Sequence, residues 1–265
     1  MYMFVKTLGN ALGDVSHTLV PTPDKNFYYR HIHRNCELML FIKGDADFLI
    51  NGEIFHLKPY DLILIPQGNY HYLNLCKSNP YENYVFYFDD TYIPQNKMDR
   101  LLQPPLVFNI RNDHTLIGLF KTLDTYADVY LEDDFQFCAQ KLIQEILIYC
   151  CYVNRLPSIV AENNNEIIFD IIHHIDSHIE EELNVDILAK QLKLSRSHIQ
   201  NIFSLKMQIG LKQYITQKKM YASYQDLLGG MAAVQVAEKY HYYNYSTFYR
   251  LFRKTFGVAP SEVTK

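Results

Sequence analysis

The chain has 265 residues and a formal net charge of -4, from 25 lysines and arginines against 29 aspartates and glutamates. Its composition, 48% hydrophobic and 20% charged, belongs to a globular chain with core enough for one large domain or two modest ones. An acidic balance counts against nucleic acid as a partner, provided the charge is evenly spread. No apolar run approaches the roughly 18 residues needed to span a bilayer. Met1 to Val15 carries neither the apolar stretch nor the small-residue cleavage site of a signal peptide. The five cysteines (Cys36, Cys76, Cys138, Cys150 and Cys151) form no CxxC pair and read as reduced thiols of a cytoplasmic protein.

Short strands fill the first hundred residues. Leu38 to Ile42 is a continuous apolar run ending at the turn Lys43-Gly44-Asp45. Ala46 to Ile50 and Glu53 to Leu57 flank Asn51-Gly52, a strong hairpin signal because a type I′ turn needs positive φ at both central residues. Leu62 to Ile65, Tyr70 to Leu75 and Tyr84 to Phe88 follow, with Pro66-Gln67-Gly68-Asn69 as a turn. Closely spaced short strands predict a small antiparallel barrel or sandwich.

Helical spacing takes over after about residue 112. Leu116, Leu119, Phe120, Leu123, Ala127 and Tyr130 form one stripe; Leu142, Ile143, Ile146, Leu147, Cys150 and Val153 form a second. With Glu132-Asp133-Asp134 between them, they predict a helical hairpin over about 113–155. Its apolar stripe has two possible destinations, the barrel's outer surface and a second copy of the chain. Residues 156–165 are polar with Pro157 near the start and read as a linker. The expected plan is therefore a sensing and dimerising domain over 1–155 and a helical domain over 166–265. The charge divides at that boundary. Residues 1–165 hold 13 basic and 19 acidic side chains, and residues 166–265 hold 12 and 10. The acidic surplus belongs to the N-terminal region and does not bear on what the helical domain binds.

Within the helical domain a single plan occurs twice. Ile187, Leu188, Ala189 and Leu192 lie on a short helix, Lys193-Leu194 is a turn, and Ser195 is a fitting N-cap. The helix after it turns Ile199, Ile202 and Phe203 inward and Arg196, Ser197, Gln200, Asn201 and Ser204 outward. Some fifty residues on, Val236, Ala237 and Tyr240 are followed by the turn His241-Tyr242-Tyr243 and the cap Asn244. Phe248, Leu251 and Phe252 then point inward, and Tyr245, Ser246, Tyr249, Arg250 and Arg253 outward. Leu211, Tyr214, Ile215 and Ala222 mark a linking helix stopped at Gly229-Gly230. Two helix-turn-helix units with outward side chains that can hydrogen-bond base edges and phosphates predict a reader of double-stranded DNA.

From Val185 to Pro260 the chain resembles the DNA-binding domain of the AraC/XylS transcription regulators. The resemblance rests on Leu188-Ala189, Ser195, Phe203, Tyr214, Val236-Ala237, Ser246, Phe248 and the tail Arg250-Leu251-Phe252-Arg253-Lys254-Thr255-Phe256-Gly257-Val258-Ala259-Pro260. It implies that both second helices enter successive major grooves, through Arg196, Gln200 and Asn201 in the first unit and Tyr245, Ser246, Tyr249 and Arg250 in the second. Departures fall at His241-Tyr242 (usually Gly-Phe), at Lys219 (usually Arg), at Ser223, and at Gln208 in place of a glycine. A histidine at position 241 would hold a left-handed backbone at some cost.

The spacing His31-x-His33-x3-Glu37-x6-Gly44, with Pro66-x-Gly68-x2-His71, resembles the two motifs of the cupin barrels, although the second glycine position is Tyr60. Three imidazoles and one carboxylate would suit Zn, Fe, Mn or Ni. The same residues, His31, His33, Glu37 and His71, can instead bond within the barrel or to a small effector such as a sugar or other metabolite. The expected protein is an α+β two-domain regulator. It has a cupin-like β-barrel with a helical hairpin, then an all-α domain with two helix-turn-helix motifs. It is expected to be non-enzymatic, without a cofactor, homodimeric and not membrane-bound. A metal-dependent cupin enzyme fused to a helical domain, and a protein-binding descendant of such a regulator, are the alternatives. His56 reads as a strand-face histidine, and His174 with His178 as a solvated helix face.

Overall fold

A computed structural model describes residues 3–4, 15–21, 35–77, 79–89, 91–103, 106–153 and 166–263. The chain divides into two compact units, Met1–Asn163 and Asn164–Lys265. The expected linker over 156–165 lies outside the described residues, as do His31 and His33. No helix among the described residues is long and apolar enough to cross a membrane.

The first unit runs β1 (Met3–Phe4), β2 (Val15–Val20), β3 (Cys36–Lys43), β4 (Ala46–Ile50), β5 (Glu53–His56), β6 (Asp61–Ile65), β7 (His71–Leu75), β8 (Tyr81–Phe88), α1 (Gln95–Leu101), β9 (Val107–Asn109), α2 (His114–Val129) and α3 (Glu132–Cys150). The strands form a six-stranded sheet in the order β1-β2-β8-β3-β6-β9 and a three-stranded sheet in the order β5-β4-β7. Every pairing is antiparallel. The hairpin between β4 and β5 turns at Asn51 and Gly52 with φ of 47° and 89°, the two positive values a type I′ turn requires.

Alternation along the strands builds two cores. Met39 and Phe41 of β3 and Ile63 and Ile65 of β6 share one cluster with Phe48, Ile50, Phe55, Leu73 and Leu75 of the smaller sheet. Leu38, Leu40, Leu62, Leu64, Phe86 and Phe88 point the other way and share a cluster with Leu116 and Phe120 of α2 and Phe135, Leu142, Ile146 and Leu147 of α3. The continuous apolar run of β3 thus reflects a strand covered on both faces. The hairpin's stripe is buried on the larger sheet, with Phe120 stacked on Phe86 at 5.0 Å between ring centroids. Glu132-Asp133-Asp134 opens α3 and does not form the connection, which is Tyr130 and Leu131. Acidic residues are favoured there because the first helical N–H groups have no internal acceptor and the helix dipole is positive at that end.

The sheet and the hairpin are also joined by a polar cluster. His17 of β2 contacts Asp124 of α2 through Nδ1 at 2.9 Å and Glu82 of β8 through Nε2 at 3.1 Å. Its ring stacks on Tyr84 at 4.0 Å, and the Tyr84 hydroxyl donates to Asp124 at 2.6 Å. Burial works against a charged imidazole, yet the bonds to Asp124 and Glu82 outweigh it and hold the His17 pKa above its ordinary value.

The second unit is helical: α4 (Glu166–Ser177), α5 (Val185–Gln191), α6 (Arg196–Met207), α7 (Leu211–Leu228), α8 (Ala233–Lys239), α9 (Tyr245–Phe256) and a short 3₁₀ turn at Pro260–Glu262. Buried Ile168, Ile171, Ile172 and Ile175 form the α4 stripe. On α4, His174 is half-buried, bonded through Nε2 to Gln191 at 2.6 Å and stacked on His178. These two histidines therefore pack within the helical unit and are not simply solvated.

Candidate nucleic-acid interface and barrel interior

The two helix-turn-helix units are built alike at the level of single hydrogen bonds. After α5, Lys193 takes φ of 55°, Leu194 N donates to Ala189 O at 2.8 Å, and Lys193 N to Lys190 O at 3.3 Å. After α8, His241 takes φ of 60°, Tyr242 N donates to Ala237 O at 2.8 Å, and His241 N to Glu238 O at 3.0 Å. Both are Schellman turns, in which the crossed pair of bonds satisfies carbonyls left open at the helix end. Each has a bulky residue where glycine is easiest, the position at which His241 departs from the AraC/XylS pattern. Gln208 likewise takes φ of 53° after α6.

The next residues start the second helix of each unit. The Ser195 hydroxyl accepts from His198 N at 3.2 Å. The Asn244 side chain accepts from Ser246 N at 2.9 Å and from Thr247 N at 3.3 Å. Buried Ile199 and Phe203 fix one face of α6, with the Phe203 ring 5.2 Å from Tyr214 of α7. Phe248 and Phe252 fix α9 in a core with Met220, Tyr224, Val236 and Ala237.

The opposite faces are presented to solvent. On α6, Arg196, Ser197 and Asn201 are exposed and Gln200 is half-buried. On α9, Tyr245, Ser246, Arg250 and Arg253 are exposed and Tyr249 is half-buried. Positions three and four apart share a helix face, so each set is contiguous. The Arg196 guanidinium is engaged with Asp186 at the start of α5, with Nη1 2.8 and 2.9 Å from the two carboxylate oxygens. Sequence reasoning passed over Leu205, which is 74% exposed on α6, because a lone leucine between polar positions carries no periodic signal.

One buried charge joins the turn between α4 and α5 to the end of α8. Lys219 of α7 is 6% exposed, and its Nζ donates to Glu181 O at 2.9 Å and to Tyr240 O at 3.1 Å. Burial pulls its pKa below the usual lysine value. Ser223, four residues on, is fully buried and donates to Lys219 O at 2.7 Å. The His241 ring reaches Glu180 O at 3.0 Å, and Lys239 pairs with the Glu180 carboxylate at 2.9 Å. The Glu180–Glu182 turn is thereby fastened to the turn of the second unit.

In the first unit, Glu37 of β3 and His71 of β7 come together on the inward faces of the two sheets. Both are buried, and His71 Nε2 stands 3.2 Å from Glu37 Oε2 while Nδ1 is 2.9 Å from Asn69 O. Tyr60, at the cupin pattern's glycine position, takes φ of 72° and donates its N–H to Phe41 O at 2.7 Å.

Residues 188–265 match the family described as "Helix-turn-helix domain", and residues 13–130 match the "AraC-like ligand binding domain". Regulatory protein SoxS of Escherichia coli strain K12 is 31% identical over 101 residues, which cover 38% of this chain and 94% of SoxS. The lactose operon transcription activator of Staphylococcus xylosus is 21% identical over 254 residues, 92% of this chain and 88% of the activator. A solved structure of ToxT from Vibrio cholerae aligns over 95% of this chain and 97% of its own, at 14% identity and a TM-score of 0.40. The chain belongs to the AraC/XylS family of DNA-binding transcription regulators, with an AraC-like ligand-binding domain before its helix-turn-helix domain.

Proposed function

We propose that the exposed faces of α6 and α9 read DNA: Arg196, Ser197, Gln200 and Asn201 in one major groove, and Tyr245, Ser246, Tyr249, Arg250 and Arg253 in the next. The observation that carries this reading is the repetition of the same Schellman turn, side-chain N-cap and polar outward face in both units. Arg250, Arg253 and Lys254 supply local positive charge for phosphates, which matters more than the charge of the whole chain. The inward-facing Glu37 and His71, with His31 and His33, are proposed to meet the small-molecule effector, and no reaction or metal is assigned to them.

The remaining roles complete this reading. Residues 1–155 sense the effector and pair two copies, 156–165 link, and 166–265 bind DNA in the cytoplasm. Pairing would use what the hairpin leaves outside its core, where Leu131 and Phe137 are 81% and 63% exposed. Effector binding then shifts DNA affinity only if it favours one of two states of the protein.

The test is a substitution series on a duplex that the protein binds specifically. Arg250→Ala weakens specific binding by about 1–3 kcal/mol and relaxes the sequence preference at its position. Unchanged affinity would overturn the assignment of α9.

A further inference from the structure

The smaller sheet carries a cluster of donors on the face turned away from the core. Ala46 and Phe48 of β4 point into the core, so Asp47 points out, and Asp45, two residues earlier, follows the same alternation. His56 of β5 is the cross-strand partner of Asp47, and Asn74 of β7 is its partner on the other side. Cys76 lies two residues beyond Asn74, with its N–H donating to Asp45 O at 2.9 Å. Sheet register alone therefore gathers two carboxylates, an imidazole and a thiol at one end of this face. Among the described residues, Asp45, His56 and Cys76 each bring a donor atom within 4.8 Å of the others.

We propose that Asp45, His56 and Cys76 form a binding site for a zinc-class divalent cation, with Asp47 as the residue that orients the His56 ring. Donor atoms of a tetrahedral zinc site lie roughly 3.3–3.8 Å apart, given bonds of about 2.0–2.3 Å. The donor types match: thiolate and imidazole select zinc over magnesium or calcium. Asp47 Oδ1 holds His56 Nδ1 at 2.7 Å, which leaves Nε2 for the metal in the carboxylate–histidine–metal arrangement. Asp47 Oδ2 accepts from Cys76 Sγ at 3.3 Å, and binding would release that proton.

The nearby ammonium of Lys77 sits 2.7 Å from Asp45 Oδ2 on a side chain 69% exposed, so it is easily displaced or shared. With His56 60% exposed, solvent reaches the fourth coordination position. The site is separate from the Glu37–His71 pair, which faces inward, and it does not depend on the DNA-binding assignment.

The test is titration of the reduced full-length protein with Zn(II) by calorimetry and with Co(II) by absorption. One site per chain is expected, with a thiolate-to-cobalt band in the near ultraviolet. Cys76→Ser removes the band and His56→Gln weakens zinc at least about tenfold, while Asp47→Asn weakens it by about 10–100-fold. Cys138→Ser leaves both readouts unchanged. These positions are exposed or half-exposed, so an unaltered metal-free melting curve checks that each variant is folded. No zinc uptake by the folded protein, or uptake indifferent to Cys76→Ser and His56→Gln, would overturn the proposal.

Discussion

Replacing Lys219 with methionine keeps the length of the stem and removes only the ammonium. Two carbonyls, Glu181 O and Tyr240 O, then lose the donor that serves them at 2.9 and 3.1 Å. A buried acceptor left bare costs about 1–3 kcal/mol, which applies to Tyr240 O; Glu181 lies on an exposed turn, where solvent replaces much of the lost donor. Against this stands the desolvation of the ammonium, which depresses its pKa and is recovered when it goes. The balance is a loss of about 1–2 kcal/mol from the helical unit. Because a two-unit chain need not unfold in one step, the assay is native-state hydrogen exchange of the core amides of α7 and α9 in the full chain. Their protection should fall by about 5- to 30-fold, while exposed Lys212→Met serves as the control. DNA affinity should fall in parallel, since Lys219 anchors the turn that aims the second unit. A change below about 0.5 kcal/mol, the size expected of a surface substitution, would refute the claim that this charge joins the two turns.

Two further expectations concern charge. Asp186→Asn releases Arg196 from an exposed ion pair worth no more than about 1 kcal/mol. It should raise DNA affinity about two- to fivefold by titration; weaker binding would show that Arg196 is not used on DNA. The polar cluster between sheet and hairpin should give pH-dependent stability. The folded-state pKa of His17 is raised above 6.5, so its contribution is full below 6.5 and lost as pH rises through the folded value. For Asp124, burial acts upward, but the bonds from His17 and Tyr84 win and lower its pKa from 3.8. Its contribution is therefore full above 3.8 and lost as pH falls through the depressed value. Thermal melts should show wild type gaining most over His17→Gln between about pH 4 and 6.5 and losing that advantage above it. A constant difference across the range would contradict this.

The sequence carried those features of the fold that local chemistry decides. Asn51-Gly52, the caps Ser195 and Asn244, and the stop at Gly229-Gly230 act within a few residues, and all are found in place. The left-handed position of His241 was legible for the same reason. Elements of weak periodicity were not. In β2, His17 turns toward carboxylates that are close only in the folded sheet, and α1 and β9 are seven and three residues long. The destination of the hairpin stripe also needed the fold, because an apolar stripe does not name the surface that covers it. Of the interface residues, the outward faces followed from helical spacing. The Arg196–Asp186 pair and the two bonds of Lys219 depend on turns that bring distant segments together. The outer-face donor cluster was missed because Asp45, His56 and Cys76 are joined by strand register and not by sequence spacing.

The central claim is that two helical faces read one DNA site, and selection of bound fragments from the source genome with the full-length protein tests it most directly. The account predicts fragments sharing two short blocks about one helical turn apart, roughly 10 base pairs. They should be bound about a thousandfold or more tighter than random duplex, with affinity falling steeply as salt rises. Recovery of no common sequence, with binding insensitive to salt, would contradict it.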